Sequence, residues 1–274
     1  MATSDLPQST SSRTAEEVAR ACAEEATTII LDRFPGRAGG KRQETSSKGR
    51  GNFVTETDLA VETAVLNLLR ADYPDHAVLS EETTHDVDAR RGWCWIVDPI
   101  DGTHNYSQGI PHFCFTIALC RDSEPILGLT RNPATGDEFF ATRNGGLLVN
   151  GEQASVSPTP SLDQSVLGVD LGYDDERAAR LLELLRVIWP GMQAVRVMGS
   201  AALGLAYAAC GRFDAFVHHR LWPWDSAAGI LFVREAGGLA LQPDGGDATV
   251  YSERLVAGAP GPVRDFLRLE RPSP

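Results

Sequence analysis

The chain has no surplus of positive charge, no long apolar run and no paired cysteine motif, and each absence removes a class of function. Of its 274 residues 25 are Lys or Arg and 37 are Asp or Glu, a formal net charge of -12. An acidic surface of this kind repels nucleic acid and anionic membrane at long range, and no basic face offsets it, so neither is an expected partner. No stretch stays apolar over the ~20 residues that a helical membrane span requires. Met1 to Ser12 is polar, without the basic start and apolar run of a secretion signal, and the cytoplasm is the expected compartment. The five cysteines, Cys22, Cys94, Cys114, Cys120 and Cys210, form no Cys-x-x-Cys pair and sit mostly in apolar stretches. They read as small buried hydrophobes in a reducing compartment, with zinc binding or thiol chemistry as the alternative.

What is present is ample material for a core, with 42% hydrophobic and 23% charged residues. That suits one large domain or two coupled subdomains. Residues 1–13 are expected to form a disordered tail. Residues 14–274 are expected to form a single domain, with subdomains of about 14–154 and 162–274 divided by the Ser- and Pro-rich stretch Ser155 to Ser161. Thr14 and Glu17 predict a capping box opening a helix that ends at Phe34-Pro35-Gly36. Gly36 to Asn52 reads as a mobile loop, and a second helix is expected after Asp58. Short strand-like runs follow between Ala77 and Val149, with Gly145-Gly146 as a hairpin turn. Beyond Ser161 strands and helices alternate, which points to layered sheets with helices between them.

Three acidic segments carry the chemistry. The apolar run Trp95-Ile96-Val97 delivers Asp98, Pro99 is expected to stop the strand, and Asp101 follows on a turn that Gly102 permits. Two carboxylates so close at a strand end repel one another unless a cation lies between them. Thr103 adds a hydroxyl, and the N–H groups of Gly102 and Thr103 face an anion if a helix starts there. Taken alone, the segment also suits a surface turn with capping aspartates. The pair Glu81-Glu82 after Ala77-Val78-Leu79 is by itself compatible with solvated surface. Asp225, in Trp224-Asp225-Ser226-Ala227-Ala228-Gly229, is placed at a helix N-cap, and the small residues after it allow close helix packing.

Taken together, Asp98-Pro99-Ile100-Asp101-Gly102-Thr103 with Asn105-Tyr106, and Trp224-Asp225-Ser226-Ala227-Ala228-Gly229, resemble the paired signatures of the inositol monophosphatase family. Val54-Thr55-Glu56-Thr57-Asp58, Ser80-Glu81-Glu82-Thr83, Gly109-Ile110-Pro111-His112-Phe113, Asn150-Gly151, Gly199-Ser200-Ala201-Ala202 and Glu235-Ala236-Gly237-Gly238 match further family segments in order, from about Thr14 to the C-terminus. The resemblance implies an α/β fold, an alternating αβαβα sandwich of the inositol monophosphatase and fructose-1,6-bisphosphatase type. It implies an Mg²⁺-dependent phosphomonoesterase for inositol 1-phosphate or a related small cyclitol or sugar phosphate, with in-line attack by a metal-activated water.

By position in the family, Glu81, Asp98 and the carbonyl of Ile100 hold one Mg²⁺, and Asp98, Asp101 and Asp225 a second. Glu81 helps to hold a weaker third. Oxygen ligands with room for water suit magnesium rather than zinc. Thr103, hydrogen-bonded towards Asp58, orients the attacking water beside Glu81, making these three the catalytic set. Asp101, Gly102, Thr103, Gly199, Ser200, Ala201, His218 and Asp225 are the expected substrate contacts. The cations would supply the positive charge that an acidic protein lacks for phosphate. A homodimer and lithium sensitivity are also family expectations.

Three departures stand out. Ser80 replaces the usual Gly, with little consequence expected, and Lys48 is the nearest candidate for the lysine that the family's mobile loop presents. Inositol phosphatases commonly carry Glu seven residues before Asp225, where this chain has His218, followed by His219 and Arg220. A group that donates or carries positive charge in place of an acceptor would alter polyol recognition and admit a substrate with a second anionic group. Trp222 and Trp224 read as packing residues rather than a stacking platform. Fructose 1,6-bisphosphate, histidinol phosphate and aminocyclitol phosphates remain alternative substrates, while His104-Asn105-Tyr106 after Thr103 argues against the nucleotide branch. A non-catalytic regulatory protein is the reading from another class, disfavoured because every metal ligand is present.

Overall fold

In the computed structural model of this protein, which describes residues 6–36, 45–49, 52–84, 87–88 and 90–270, reciprocal caps open both N-terminal helices. Glu17 donates its N–H to Thr14 Oγ1 at 3.2 Å and its carboxylate accepts the Thr14 N–H at 2.7 Å. This satisfies two otherwise orphaned donors at the start of α1, Ala15–Arg33. Thr55 caps α2, Glu56–Asp72, in the same way. The second helix therefore begins before Asp58: that residue is its third, returning a bond from its carboxylate to the Thr55 N–H at 2.8 Å.

Two expectations for the N-terminal region need correction. Residues 6–13 do not behave as a tail. Thr10 N–H reaches Asp72 O at 2.9 Å, Tyr73 donates to Pro7 O at 3.1 Å, and Arg13 pairs with the Asp72 carboxylate. A polar segment is ordered here by partners distant in sequence. Within the stretch read as a loop, β1 (Thr45–Gly49) and β2 (Asn52–Thr55) pair as an antiparallel ribbon. Its Ser, Lys and Gly content gave no apolar alternation to announce a strand. The Lys48 side chain lies outside the described residues, as do those of residues 45, 47, 52 and 53.

A seven-stranded sheet follows, in the order β3-β4-β5-β6-β7-β8-β9. Its strands are β3 (Ala77–Ser80), β4 (Trp93–Asp101), β5 (Cys114–Arg121), β6 (Glu124–Arg131), β7 (Glu138–Thr142), β8 (Gly146–Val149) and β9 (Glu152–Ala154). Only the β3/β4 pair is parallel. The five-stranded sheet runs β11-β10-β12-β14-β13, built from β10 (Val166–Asp170), β11 (Ala194–Val197), β12 (Ala215–His218), β13 (Leu239–Leu241) and β14 (Leu255–Gly258). Strand β10 lies parallel to both β11 and β12.

Alternation along the strands decides which layer each side chain enters. Trp95 and Val97 of β4 pack with Val18, Val65 and Leu69 of α1 and α2. Cys94 and Ile96 face the other way, towards α5 (Ala201–Ala209) and α6 (Pro223–Glu235), whose opposite side meets Phe216 and Ala257 of the second sheet. Leu167, Val169 and Val217 leave that sheet's far face to meet α4 (Asp175–Ile188) and α7 (Pro260–Glu270). The result is the expected αβαβα sandwich, with each large apolar side chain buried in it contributing about 1.5–3 kcal/mol. The middle layer is thin because its helices carry small residues. A Cβ added at Gly229 of α6 would stand 2.5 Å from Leu205 Cβ of α5.

Candidate active site

Asp98 and Asp101 are three residues apart, and in a regular strand that odd spacing would send them to opposite faces. A bulge corrects the parity. Asp98 pairs with Thr116 and Asp101 with Cys114, so Pro99 and Ile100 together oppose Phe115 alone. Pro99 does not stop the strand, as expected from its missing N–H, but sits in this bulge, where no ladder donor is needed. Both carboxylates thus turn into the middle layer, at the end of β4. Gly102 follows with φ +87°, and a Cβ there would stand 3.1 Å from both Gly199 O and His112 O. Only glycine fits, and the chain turns at once into the short helix α3, Thr103–Gln108.

Asp225 joins them from α6. It is the third residue of that helix rather than its N-cap: Trp222 occupies the cap position, Pro223 the first turn, and the Asp225 carboxylate accepts the Trp222 N–H at 2.7 Å. One carboxylate oxygen from each of Asp98, Asp101 and Asp225 lies within 4.8 Å of the others. Burial first, then Glu81, Asp101 and Asp225, hold the Asp98 carboxyl well above the usual carboxylate range. Burial and Asp101 do the same to Asp225, and burial lifts Asp101 to about 6 against its hydrogen bonds from Ser200 and Ala202. Mutual repulsion at such range is relieved by a cation, and the donor set fits a hard divalent ion. Cys114 Sγ is 3.7 Å from Asp101 Oδ2, yet burial and the neighbouring Asp101 push its thiol well up, so it remains a neutral donor rather than a thiolate ligand.

The expected contacts Gly199, Ser200 and Ala201 line the same cavity, but their backbone donors are committed. Gly199 and Ser200 give their N–H groups to Asp170 at 2.7 and 3.2 Å, and Ala201 gives its own to Asp101 at 3.3 Å. Ser200 Oγ also bonds Asp101. Asn105 ties this segment to α3, donating to His112 O at 2.8 Å and Met198 O at 2.7 Å.

Thr103 Oγ1 stands 3.1 Å from Asp58 Oδ1 and 2.9 Å from Ile100 O, so Asp58 supports the site from behind α3 without lining the cavity. Burial raises Asp58 to about 6 against hydrogen bonds from Thr55. Glu81 lines the cavity beside the triad, half-buried, as do Ile100, Gly102, Thr103 and His218.

The cavity, about 280 Å³, opens between the carboxyl ends of β4, β10 and β12. This is where open parallel arrangements place ligands. Its outer wall comes from Tyr173, His218, Arg220 and Trp222. The packing reading holds for Trp224, which is buried, but not for Trp222, which is 44% exposed. The two rings stack at 5.6 Å with 12° between planes, and the Arg220 guanidinium lies 5.0 Å from the Trp222 centroid. Arg220 N–H donates to His218 Nδ1 at 3.1 Å, which assigns the proton of the neutral ring to Nε2. Burial and His219 drive His218 down to about 3, so it is an uncharged N–H donor at neutral pH.

The sequence reading missed Asp170, Tyr173 and Arg220 as cavity residues. Asp170 had a signal, an acid directly after an apolar strand, like Asp98. Tyr173 had none, and Arg220 was named only as a neighbour of His218, since only the parallel β10/β12 pairing brings their loops together.

Comparisons with known proteins bear on the family and the fold. The family model described as the inositol monophosphatase family matches residues 12–268. An inositol monophosphatase of Dictyostelium discoideum is 35% identical over 254 residues, covering 89% of this chain and 91% of that protein. The Nus factor SuhB of Escherichia coli K12 is 34% identical over 225 residues, covering 82% and 84%. An IMPase of Thermotoga maritima superposes with TM-score 0.83 at 27% identity, covering 93% of this chain and 96% of that one. The acid triad, the five-layer fold and these matches together establish that the chain belongs to the inositol monophosphatase family.

Proposed function

We propose that this protein is an Mg²⁺-dependent phosphomonoesterase acting on inositol 1-phosphate or a related small cyclitol or sugar phosphate. The convergence of Asp98, Asp101 and Asp225 within 4.8 Å carries the reading. In it Glu81, Asp98 and the Ile100 carbonyl would hold one ion, Asp98, Asp101 and Asp225 a second, and Glu81 would contribute to a weaker third. Bound ions would supply Lewis-acid polarisation of the phosphate and make water more acidic there. The chain's own residues do the rest. Thr103, steadied by Asp58, orients the attacking water through its hydroxyl, and the Glu81 carboxylate takes the proton. The N–H groups of Gly102 and Thr103 lie against phosphate oxygens.

As the new P–O bond forms, the bond to the substrate oxygen breaks, and that oxygen takes a proton from solvent water and leaves as the alcohol, which would rest on the outer wall. His218 and Arg220 offer N–H donors there, and the remaining wall carboxylate, Asp170, already accepts three backbone N–H groups. That favours a leaving group with acceptors or a second anionic group over a plain polyol. A homodimer, lithium inhibition and cytoplasmic location belong to the same reading. Among the described residues no helix is long and apolar enough to cross a membrane.

The test is phosphate release with Mg²⁺ from inositol 1-phosphate, fructose 1,6-bisphosphate, histidinol phosphate, a 3'-phosphonucleotide and an aminocyclitol phosphate, by wild type and Asp98→Asn. Metal-dependent release that the variant loses supports the phosphatase. Folded, metal-loaded protein silent on every substrate would sink it. The match to a Nus factor makes a non-catalytic regulatory role the reading that would then take its place.

A further inference from the structure

Helix α2 carries a second buried acid one turn beyond Asp58. Glu62 is 1% exposed, so its carboxylate has no water to satisfy it. Three donors do so instead, one from the last residue of β3 and two from the turn after it. Ser80 Oγ donates to Glu62 Oε2 at 2.5 Å, the Glu82 N–H donates to the same oxygen at 2.9 Å, and Thr83 Oγ1 donates to Glu62 Oε1. These bonds flank Glu81 on both sides, from the residue before it to the second residue after it. Glu81 lines the same cavity as Asp98, Asp101 and Asp225, so the clamped turn holds an acid beside the triad.

We infer that Glu62 is a positioning residue for the metal centre: by gripping Ser80, Glu82 and Thr83 it holds the turn on which Glu81 faces the acid triad. The inference rests on the proposed role of Glu81. Asp58 and Glu62, at positions i and i+4, share one face of α2. One helix face then steadies both Thr103 and Glu81, the two groups assigned to the attacking water. Ser80 gains a purpose here that a glycine could not serve, since glycine has no hydroxyl to give.

The experiment measures Mg²⁺-induced stabilisation by thermal unfolding, and Mg²⁺-dependent hydrolysis, for wild type, Glu62→Ala and Glu62→Gln. Partners that orient metal ligands typically change metal affinity or activity by about 10–100-fold when removed. Glu62→Ala should therefore need at least about 10-fold more Mg²⁺ for half its response, with lower kcat and unchanged substrate KM at saturating metal. Glu62→Gln should stay within about 3-fold of wild type, because its amide oxygen still accepts from Glu82 and its NH₂ donates to the Thr83 hydroxyl. The double variant Ser80→Ala/Thr83→Val leaves α2 untouched and removes two of the three donors. It should move the Mg²⁺ midpoint the same way, and it decides the matter if Glu62→Ala does not fold. A lower melting temperature with an unmoved Mg²⁺ midpoint would show a merely structural acid and overturn the proposal alone. A wild type that neither hydrolyses phosphomonoesters nor responds to Mg²⁺ would overturn the site reading, and this proposal with it.

Discussion

Ala202 donates its backbone N–H to Asp101 Oδ2 at 2.9 Å, so an acid from the end of β4 caps the first turn of a helix in the middle layer. Ala201 and Ser200 bond the same carboxylate. Asp101 is thus both a member of the acid triad and a structural link between the two halves of the cleft. Asp98 differs: it accepts a local hydrogen bond from the Ile100 N–H at 3.0 Å, and its surroundings are dominated by other acids.

The two aspartates should therefore respond to substitution in opposite directions. Asp98→Asn removes a repelled buried charge, so the metal-free protein should melt at a higher temperature than wild type. Asp101→Ala strands the α5 donors and should cost about 1–3 kcal/mol. Both should lose Mg²⁺-dependent activity and the Mg²⁺-induced rise in melting temperature. Thermal unfolding in EDTA and in Mg²⁺ separates these outcomes, and a less stable metal-free Asp98→Asn would contradict the repulsion argument.

The same repulsion sets a pH dependence. Asp58 and Asp101 are raised from 3.8 to about 6, and Asp98 and Asp225 are raised well above 3.8. A folded state that binds protons more tightly than the unfolded chain loses stability as pH rises from the unfolded value through the folded one. Their contribution is full below about pH 4 and falls through pH 6 and above. A bound cation favours the ionised forms and reverses the trend. The difference in melting temperature between Mg²⁺ and EDTA should therefore grow steadily from pH 5 to pH 7.5. A difference that stays flat over that range would mean that the acids do not share a cation.

How much of this was legible in the sequence follows from which forces were local. The Thr14–Glu17 cap and the alternation of β4 were readable because each rests on a short pattern, whereas the grouping of Asp98, Asp101 and Asp225 was legible only through the resemblance of their two segments to a family's signatures. The bulge at Pro99 and Ile100 was not, because pairing with β5 creates it. Glu62 could not be singled out either: as a helix residue it looks solvent-directed, and only its three donors from the end of β3 and the turn after it show why it is buried. The order of residues 6–13 depends likewise on Asp72 and Tyr73, some sixty positions away.

Thr103 offers one hydroxyl proton, while Asp58 Oδ1 and Ile100 O both stand within reach of it. A threonine held at both acceptors presents its oxygen in one direction, which is what an attacking water requires. Thr103→Ala should lower kcat by about 100-fold, at the low end for loss of a proton-transfer partner, with KM little changed. Thr103→Ser keeps the hydroxyl and should remain within about 10-fold of wild type. Equal losses in the two variants would assign the threonine's methyl group, not its hydroxyl, the decisive part.

Substrate choice should follow the donors on the outer wall. His218 is paired at Nδ1 and kept neutral by burial and His219, so it can give a hydrogen bond from Nε2 but cannot accept one there. Arg220, laid along Trp222 and bonded to Glu253 at 2.8 Å, adds charge-assisted donors at the rim. His218→Gln supplies an acceptor oxygen of similar reach, and Arg220→Gln removes the charge. Each should shift the ratio of kcat/KM values for inositol 1-phosphate over fructose 1,6-bisphosphate towards the polyol, by about 10-fold for a change of one such contact. The ratio, rather than either rate alone, is the quantity to measure, since a general loss of stability lowers both rates together. If both variants leave the ratio where the wild type has it, the wall only shapes the cavity, and the leaving group is chosen by residues nearer the acid triad.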